Sequence, residues 1–374
     1  MATTGDRDDV FRGFLKLCQG MRAPKTKNTP SASSYVEKLQ TFLSDDHSRQ
    51  LVHRWRQWGY LLNSLLHVVK EEMGTYLNLG KSRKRKMGSK PKVPQLRYWH
   101  YLRTELQAAH VEADGPFLHL DPNGRDCISQ LFSFCNIVVD RESTEYDRDV
   151  EIRVEKEAWL TVEELAQYRV YCAILERTQW TNALEVAMGS FTESSDLISD
   201  HATAPTRARV VRLLLRNCTF DVIELLPEII QDVGDWFKEA KATAIDEQGD
   251  NADSLLLVVA SSLIEMLSDL IRSHFSSIGP LMLKNGIAVL QFIAQSNKGR
   301  KNGLRGAPAD FIVQFLELYR YNADGVPYFK YLAPITLLRE LASLNQIVLS
   351  ADEMNLMTSS FTTTVSYRNA PKAI

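Results

Sequence analysis

Three apolar segments in the second half of the chain carry the strongest helical pattern. They are Asp253–His274, Leu281–Gln295 and Ala309–Tyr321, and breaks that contain Pro280 and Pro308 separate them. In each segment apolar residues recur every three or four positions, which places them on one stripe of an α-helix. A helix with one wide apolar stripe must pack against a neighbour, so the segments predict stacked, antiparallel helices.

The first of the three segments separates its apolar and polar faces most clearly. Glu265, Asp269 and Arg272 fall on the side away from the apolar stripe. The stripe consists of Leu255, Leu256, Val259, Leu263, Met266, Leu267, Leu270 and Ile271. We therefore expect this stripe to be buried against neighbouring helices.

Helical spacing also runs through the first 110 residues. It predicts helices over Asp9–Met21, Tyr35–Ser44, about Ser48–Leu79, and Arg97–His110. Pro24 and Pro30 break the chain between the first two helices, and Ser33 or Ser34 can cap the second.

The middle of the chain is less uniform. Ile128–Val139 is apolar enough for a buried helix, although its β-branched end allows a strand, and Asp140–Glu157 is either an exposed loop or a helix start. Thr161 with Glu164 forms a capping-box pattern that predicts a new helix start. Further helices are predicted over Thr178–Met188, Pro205–Asn217 and Val222–Ala242, and after Pro327 over about Phe329–Leu349.

Together these elements predict an all-α fold, a HEAT-like α-solenoid of antiparallel helical pairs without a strict sequence repeat. We expect an N-terminal helical region over residues 1–190, a continuing solenoid over 205–350 and a polar tail or truncated continuation over 351–374. An apolar stripe near the end, without a polar capping helix after it, predicts that the chain is a fragment of a longer protein or a short gene model. That stripe consists of Leu337, Leu338, Leu341, Leu344 and Val348.

Composition bears on the partners and the cellular compartment that we expect for the protein. The 44 basic and 46 acidic residues leave a net charge of −2, so any attraction to nucleic acid must come from a local patch. Five scattered cysteines without a CxxC pair are typical of reduced, intracellular thiols. Because no apolar run approaches the ~18–20 residues of a membrane span, we expect no membrane association.

Sequence motifs for chemistry are missing from the chain. It contains neither the phosphate-binding loops of nucleotide enzymes nor the common protease, hydrolase and protein-kinase motifs. The neighbourhood richest in histidine has loose spacing for a metal site and comprises His100, His110, Asp114, His119, Asp121 and Cys127. We predict no catalytic, cofactor-binding or metal-binding residues, and we interpret Cys127, Cys135 and most tryptophans as packing residues.

One short segment, residues 81–92, departs from the balanced composition. Its sequence KSRKRKMGSKPK carries seven basic residues and no acidic one. They are Lys81, Arg83, Lys84, Arg85, Lys86, Lys90 and Lys92. Three interpretations stay open: a nuclear-localisation signal for an import receptor, a weak contact to nucleic-acid phosphates, and a solvated loop.

A family resemblance follows from the order of several segments. VEKLQTFLSDD (Val36–Asp46), after LKLC (Leu15–Cys18), resembles the TAN region at the N-terminus of ATM-type checkpoint kinases, which belong to the phosphatidylinositol-3-kinase-like protein kinases. The TAN-like residues are Val36, Glu37, Lys38, Leu39 and Leu43. The segments GRDCISQLF, RTQWTNALEVAM, DSLLLVVASSLIEMLSDLIRSHF and PADFIVQFLELYRY then come in the order of that family.

The resemblance implies a noncatalytic, N-terminal helical scaffold of a serine/threonine protein kinase. Such a region recruits protein partners through helical surfaces in the DNA-damage response and in telomere maintenance, and it implies a location in the nucleus and also in the cytoplasm. The catalytic domain of that family has no counterpart in these residues. The alternatives are an independent HEAT-like adaptor in nuclear transport or complex assembly, and a direct nucleic-acid binder that uses residues 81–92.

Overall fold

The computed structural model of the protein is built from helices. It describes residues 4–23, 31–54, 57–81, 96–112, 122–137, 145–192, 203–246, 252–296, 310–315 and 318. Of these residues 89% are helical and none lies in a strand, so the predicted all-α class is confirmed. The arrangement of the helices as a solenoid stays a prediction.

The chain divides into two compact units, Met1–Ala183 and Leu184–Ile374. The first contains α1 (Thr4–Arg22), α2 (Ala32–Leu43), α3 (Asp46–Arg54), α4 (Trp58–Lys81), α5 (Arg97–Glu112), α6 (Pro122–Phe132), a 3-10 turn (Ser133–Asn136), α7 (Glu145–Ala166) and α8 (Arg169–Cys172). Helix α9 (Arg177–Thr192) crosses the division, and the second unit contains α10 (Ala204–Arg216), α11 (Leu226–Asp246) and α12 (Ala252–Ser296). The predicted domain change between residues 190 and 205 stays a prediction.

In the first unit α4 packs against α1, α5 and α6, and α7 packs against α5 and α6. The predicted packing role of Cys127 and Cys135 is confirmed, because both are buried. Trp58, Trp99, Trp159, Trp180 and, in the second unit, Trp236 are buried as well, whereas Trp55 lies outside the described residues. The unit is therefore held together by a core rich in large aromatic side chains.

The predicted single helix over Ser48–Leu79 is wrong, because the structure divides it into α3 and α4. At the junction the Gln57 N–H donates to the Val52 carbonyl at 3.3 Å. Residues on both sides of the junction, such as Val52 and Leu61, are buried. Apolar periodicity indicates which residues are buried, so it can continue from one helix into the next.

The predicted capping box is also wrong, because Thr161 and Glu164 lie inside α7. The Thr161 hydroxyl donates to the Glu157 carbonyl at 2.8 Å, as threonine often does within a helix. Glu164 instead accepts from Gln107 of α5 at 2.8 Å and from the Tyr168 hydroxyl at 3.1 Å. Because α7 begins at Glu145, most of the charged segment after residue 140 is helix rather than loop.

Other helix boundaries also differ from the prediction. Ser31, and not Ser33 or Ser34, occupies the N-cap position of α2, with extended backbone angles. The region after α6 ends in the 3-10 turn and an extended Ile137. The residues that follow Ile137, up to 144, lie outside the described part of the chain.

In the second unit α12 is the central element, because it packs against both α10 and α11. The predicted stripe is confirmed for its described side chains, which are all buried: Leu256, Val259, Leu263, Met266, Leu267, Leu270 and Ile271. The side chain of Leu255 lies outside the described residues. The predicted break at Pro280 is wrong. The backbone departs from helical angles at His274, six residues earlier, and helix continues through Pro280.

The polar side of α12 also has a partner. Arg212 of α10 forms ion pairs with Glu265 and, at 2.9 Å, with Asp269. Because α12 has neighbours on two sides, Ala260, Ile264 and Ser268 are buried in addition to the stripe. Charged residues therefore help to join these helices. The predicted helix over 329–349 and the apolar stripe near residue 340 lie outside the described residues.

Candidate protein-interaction surface

The sequence predicted two sets of site residues, the basic segment 81–92 and the TAN-like motif. The structure describes the second set and only one residue of the first. Lys81 is the last residue of α4. The other basic residues of the 81–92 segment, Arg83, Lys84, Arg85, Lys86, Lys90 and Lys92, lie outside the described residues. The TAN-like residues, in contrast, all lie on α2, which the structure describes completely.

The apolar residues of the TAN-like motif hold α2 in place. Val36, Leu39 and Leu43 are buried, and α2 packs against α1. The buried residues of α1 are Phe14, Cys18 and Met21, and the ring centres of Phe14 and Phe42 are 6.2 Å apart. These three motif residues therefore have a structural role, and any contact with a partner must come from the rest of α2.

A glycine lets the two helices approach closely. A Cβ atom on Gly20 of α1 would lie 2.3 Å from Cε1 of Tyr35, so only glycine fits there without a shift of the ring. The Lys38 ammonium lies 5.8 Å from the centre of the same ring, within the range of a cation–π contact. The Tyr35 ring therefore lies against α1 at Gly20 and also contacts Lys38 of its own helix.

The outward side of α2 presents mixed polar chemistry. Glu37, Lys38, Gln40 and Thr41 are exposed, and the Thr41 hydroxyl donates to the Glu37 carbonyl at 3.0 Å. We call these four residues the α2 surface. It offers a carboxylate, an ammonium group, an amide and a hydroxyl within about two helical turns, which suits hydrogen bonds and ion pairs to another protein.

The end of α2 is tied to α3 by a helix cap. The Asp45 carboxylate precedes α3 and accepts from the Ser48 N–H at 2.8 Å and from the Ser48 hydroxyl at 2.7 Å. These two hydrogen bonds stabilise the charged form, so they hold the pKa of Asp45 below its ordinary value. Sequence reasoning missed this cap, although an Asp directly before the first residue of a helix is a usual N-cap signal.

A buried ion pair ties α3 to α5. Arg49 donates to the Leu43 carbonyl at 3.2 Å and pairs with Glu105 at 3.3 Å, while its guanidinium lies 5.9 Å from the Trp58 ring centre. The Glu105 side chain is only 1% exposed. Arg49 therefore links the C-terminal end of α2 to the core, and local sequence offered no signal for a pairing 56 residues apart.

The nearby titratable groups do not form a reactive pair. Burial raises the pKa of the Cys18 thiol to about 12, so it is neutral at ordinary pH and a poor nucleophile. Burial, and then the Glu105 carboxylate, raise the pKa of the Tyr101 phenol. Among the described residues no group of three or more His, Cys, Asp or Glu is arranged to hold a metal ion.

Among the residues that the structure describes, no helix is both long enough and apolar enough to cross a membrane. Comparisons of the chain with protein-family models, curated proteins and solved structures found no match. The geometry around α2 is that of a polar helix face on a helix that packs against α1 and α3 and is linked to α5 through Arg49 of α3.

Proposed function

We propose that this chain is a noncatalytic helical scaffold that recruits protein partners in the DNA-damage response and in telomere maintenance. The observation that supports recruitment is the placement of α2. Its motif splits into buried residues that fix the helix and the exposed α2 surface. A rigidly held helix that presents polar groups loses little conformational entropy on binding.

The link to DNA damage comes from the resemblance of Val36–Asp46 and the later segments to the N-terminal region of ATM-type kinases. On this proposal the parent protein is a serine/threonine kinase, and these residues supply docking rather than catalysis. The 81–92 segment then serves nuclear import, because a short strip of basic residues suits the acidic groove of an import receptor.

Proximity labelling in cells tests this proposal. The full chain is fused to a labelling enzyme and expressed with and without induced double-strand breaks. We expect the breaks to increase labelling of DNA-repair proteins, and the increase to disappear when the charges on the α2 surface are exchanged by Glu37→Lys and Lys38→Glu.

A matched control exchanges one acidic and one basic exposed residue elsewhere, through Glu185→Lys and Arg216→Glu. It should behave like the unmodified chain. A set of labelled proteins that is the same with and without breaks would contradict the proposal. If that set consisted of transport factors, the independent adaptor would be the better interpretation.

A further inference from the structure

An exposed serine lies between α2 and α3, and acidic residues follow it directly. Helix α2 ends at Leu43 and α3 begins at Asp46, so Ser44 and Asp45 form the connection. Ser44, Asp45 and Asp46 are all exposed. Helix ends open at a lower free-energy cost than core helices, so an enzyme can reach this connection. A serine followed by two aspartates also suits a kinase whose substrate groove is basic.

A buried serine in a similar sequence context shows what exposure contributes. Ser268 of α12 also precedes an aspartate, Asp269, but it is 0% exposed. Its hydroxyl donates to the Ile264 carbonyl at 3.0 Å. Ser44 and Ser268 therefore share the residue type and the aspartate that follows, and they differ in access for an enzyme.

The Ser44 hydroxyl closes the C-terminal end of α2. It donates to the Thr41 carbonyl at 2.7 Å, and the Ser44 N–H donates to the Gln40 carbonyl at 2.9 Å. The last carbonyls of a helix have no partner within the helix, so the hydroxyl supplies a donor for one of them. A phosphate ester on Oγ removes this donor. It also places about −1.5 to −2 charges at the negative end of the helix dipole.

The favourable position for an anion at the start of α3 is already occupied. The Asp45 carboxylate accepts from the Ser48 N–H at 2.8 Å, and Asp46 lies in the first turn of α3. A phosphate on Ser44 would lie close to both carboxylates in the chain, and like charges repel. The phosphate therefore weakens the α2–α3 junction rather than capping α3.

A guanidinium links this junction to the core. Arg49 donates from Nε to the carbonyl of Leu43, the residue before Ser44, and it pairs with Glu105, whose side chain is 1% exposed. Arginine binds phosphate strongly, so a phosphate on Ser44 would compete with Glu105 for this guanidinium. The competition loosens the link from the junction to α5.

We propose that Ser44 is a phosphorylation site for a serine kinase that selects acidic residues after the acceptor, and that the phosphate loosens the α2–α3 junction. In the reaction the Ser44 Oγ forms a bond to the γ-phosphorus of ATP, and the bond from that phosphorus to the β,γ-bridging oxygen breaks. ADP leaves, and the hydroxyl proton passes to the base of the kinase. Because Thr41 belongs to the α2 surface, phosphorylation would also regulate recruitment. That consequence rests on the proposed function, whereas the site and its effect on the junction do not.

Locating the phosphate on the full chain tests the acceptor. A peptide of residues 38–50 identifies a suitable kinase, which is then applied with ATP to the folded chain before mass spectrometry. We expect phosphate on Ser44 and none on Ser268. Asp46→Asn leaves the Asp45–Ser48 hydrogen bonds in place and should slow phosphorylation of Ser44 several-fold. A kinase that modifies the peptide but not Ser44 of the folded chain would overturn the proposal. So would an unchanged rate for Asp46→Asn, or phosphate on Ser268 at the rate of Ser44.

A second measurement records the effect on the junction without a kinase. Phosphoserine is incorporated at position 44 during synthesis of the chain, and amide hydrogen exchange of residues 45–50 is followed by mass spectrometry. We expect this exchange to be several-fold faster than in the unmodified chain. Phosphoserine at position 33 is the matched control, because Ser33 lies in the first turn of α2, where a negative charge is favourable.

The control should leave exchange in α3 unchanged. Equal exchange in all three chains, or faster exchange in both modified chains alike, would contradict the proposed effect on the junction. Neither measurement involves DNA damage, so a failed proximity-labelling experiment would count against the proposed function and not against this site.

Discussion

Two apolar residues of α12 that lie five positions apart differ sharply in solvent exposure. Leu263 is 0% exposed, whereas Val258, five positions earlier on the same helix, is 46% exposed. The two residues have similar apolar character and a common backbone state. The same substitution at the two positions therefore compares a buried site with an exposed site of one helix.

We predict that Leu263→Asp unfolds the central helices of the second unit, because it buries a carboxylate among apolar side chains. The cost should be several kcal/mol. The control Val258→Asp, on the exposed side, should change the stability by about 0.5 kcal/mol or less. Thermal unfolding followed by circular dichroism measures both. Similar melting temperatures for the two variants would show that the packing of α12 is assigned incorrectly.

Two glycines of α1 should respond in opposite directions to the same substitution. Gly20→Ala forces the Tyr35 ring away and should destabilise the α1–α2 contact by about 1–3 kcal/mol. A Cβ on Gly13 meets nothing within 4 Å. Gly13→Ala should therefore stabilise the helix by up to about 1 kcal/mol, since alanine is the better helix former. Urea unfolding of both variants checks the signs, and a stabilising Gly20→Ala would contradict the contact.

At the scale of elements, the α2–α3 junction should be sensitive to pH. The pKa of Asp45 is lower in the folded protein than in the unfolded chain, because Ser48 donates two hydrogen bonds to the carboxylate. The cap therefore stabilises α3 fully above the ordinary pKa of aspartate, and this contribution is lost as the pH falls through the lower folded value.

Asp45→Asn should remove this part of the pH dependence, and Ser48→Ala should remove most of it by deleting the hydroxyl donor. Unfolding by urea between pH 2.5 and pH 6 measures the difference from the unmodified protein. The variants should lose less stability on acidification than the unmodified protein. Parallel curves for all three proteins would show that the cap does not contribute.

Most helices were predictable because their apolar spacing repeats over several turns, as in α10 and α12. The wrong predictions concern helix ends, the kink in α12 and side-chain hydrogen bonds, which depend on contacts with distant residues. The backbone leaves helical angles at His274, and α3 and α4 are separate helices, although buried residues continue at helical spacing in both places. Thr161 and Glu164 match a capping pattern, but the Glu164 carboxylate accepts hydrogen bonds from Gln107 of α5 and from Tyr168 instead.

The candidate surface was predictable only in part. The motif at residues 36–43 separated the apolar positions from the exposed ones, since their spacing is that of an amphipathic helix. The groups that fix α2 in place were not predictable, because Arg49 and Glu105 are 56 residues apart. Likewise, the fit of Phe315 against Gly286 depends on a contact between distant positions, and periodicity carries no information about such pairs.

At the scale of the whole molecule, the basic segment should control where the protein resides. Replacing Arg83, Lys84, Arg85 and Lys86 with Ala touches no described core residue. We expect folding to be unchanged and a tagged chain to shift toward the cytoplasm, as imaging would show. A variant that stays nuclear but loses DNA binding at low salt would support the phosphate interpretation instead. If neither changes, the segment is a solvated loop.

The most direct test of the scaffold proposal is cell survival after double-strand breaks. The cell's own gene carries Glu37→Lys and Lys38→Glu, and a control line carries Glu185→Lys and Arg216→Glu at matched protein levels. We predict that the α2 variant is hypersensitive to breaks and that the control line survives like the unmodified line. Equal survival of all three lines would contradict the claim that the α2 surface recruits partners in the DNA-damage response.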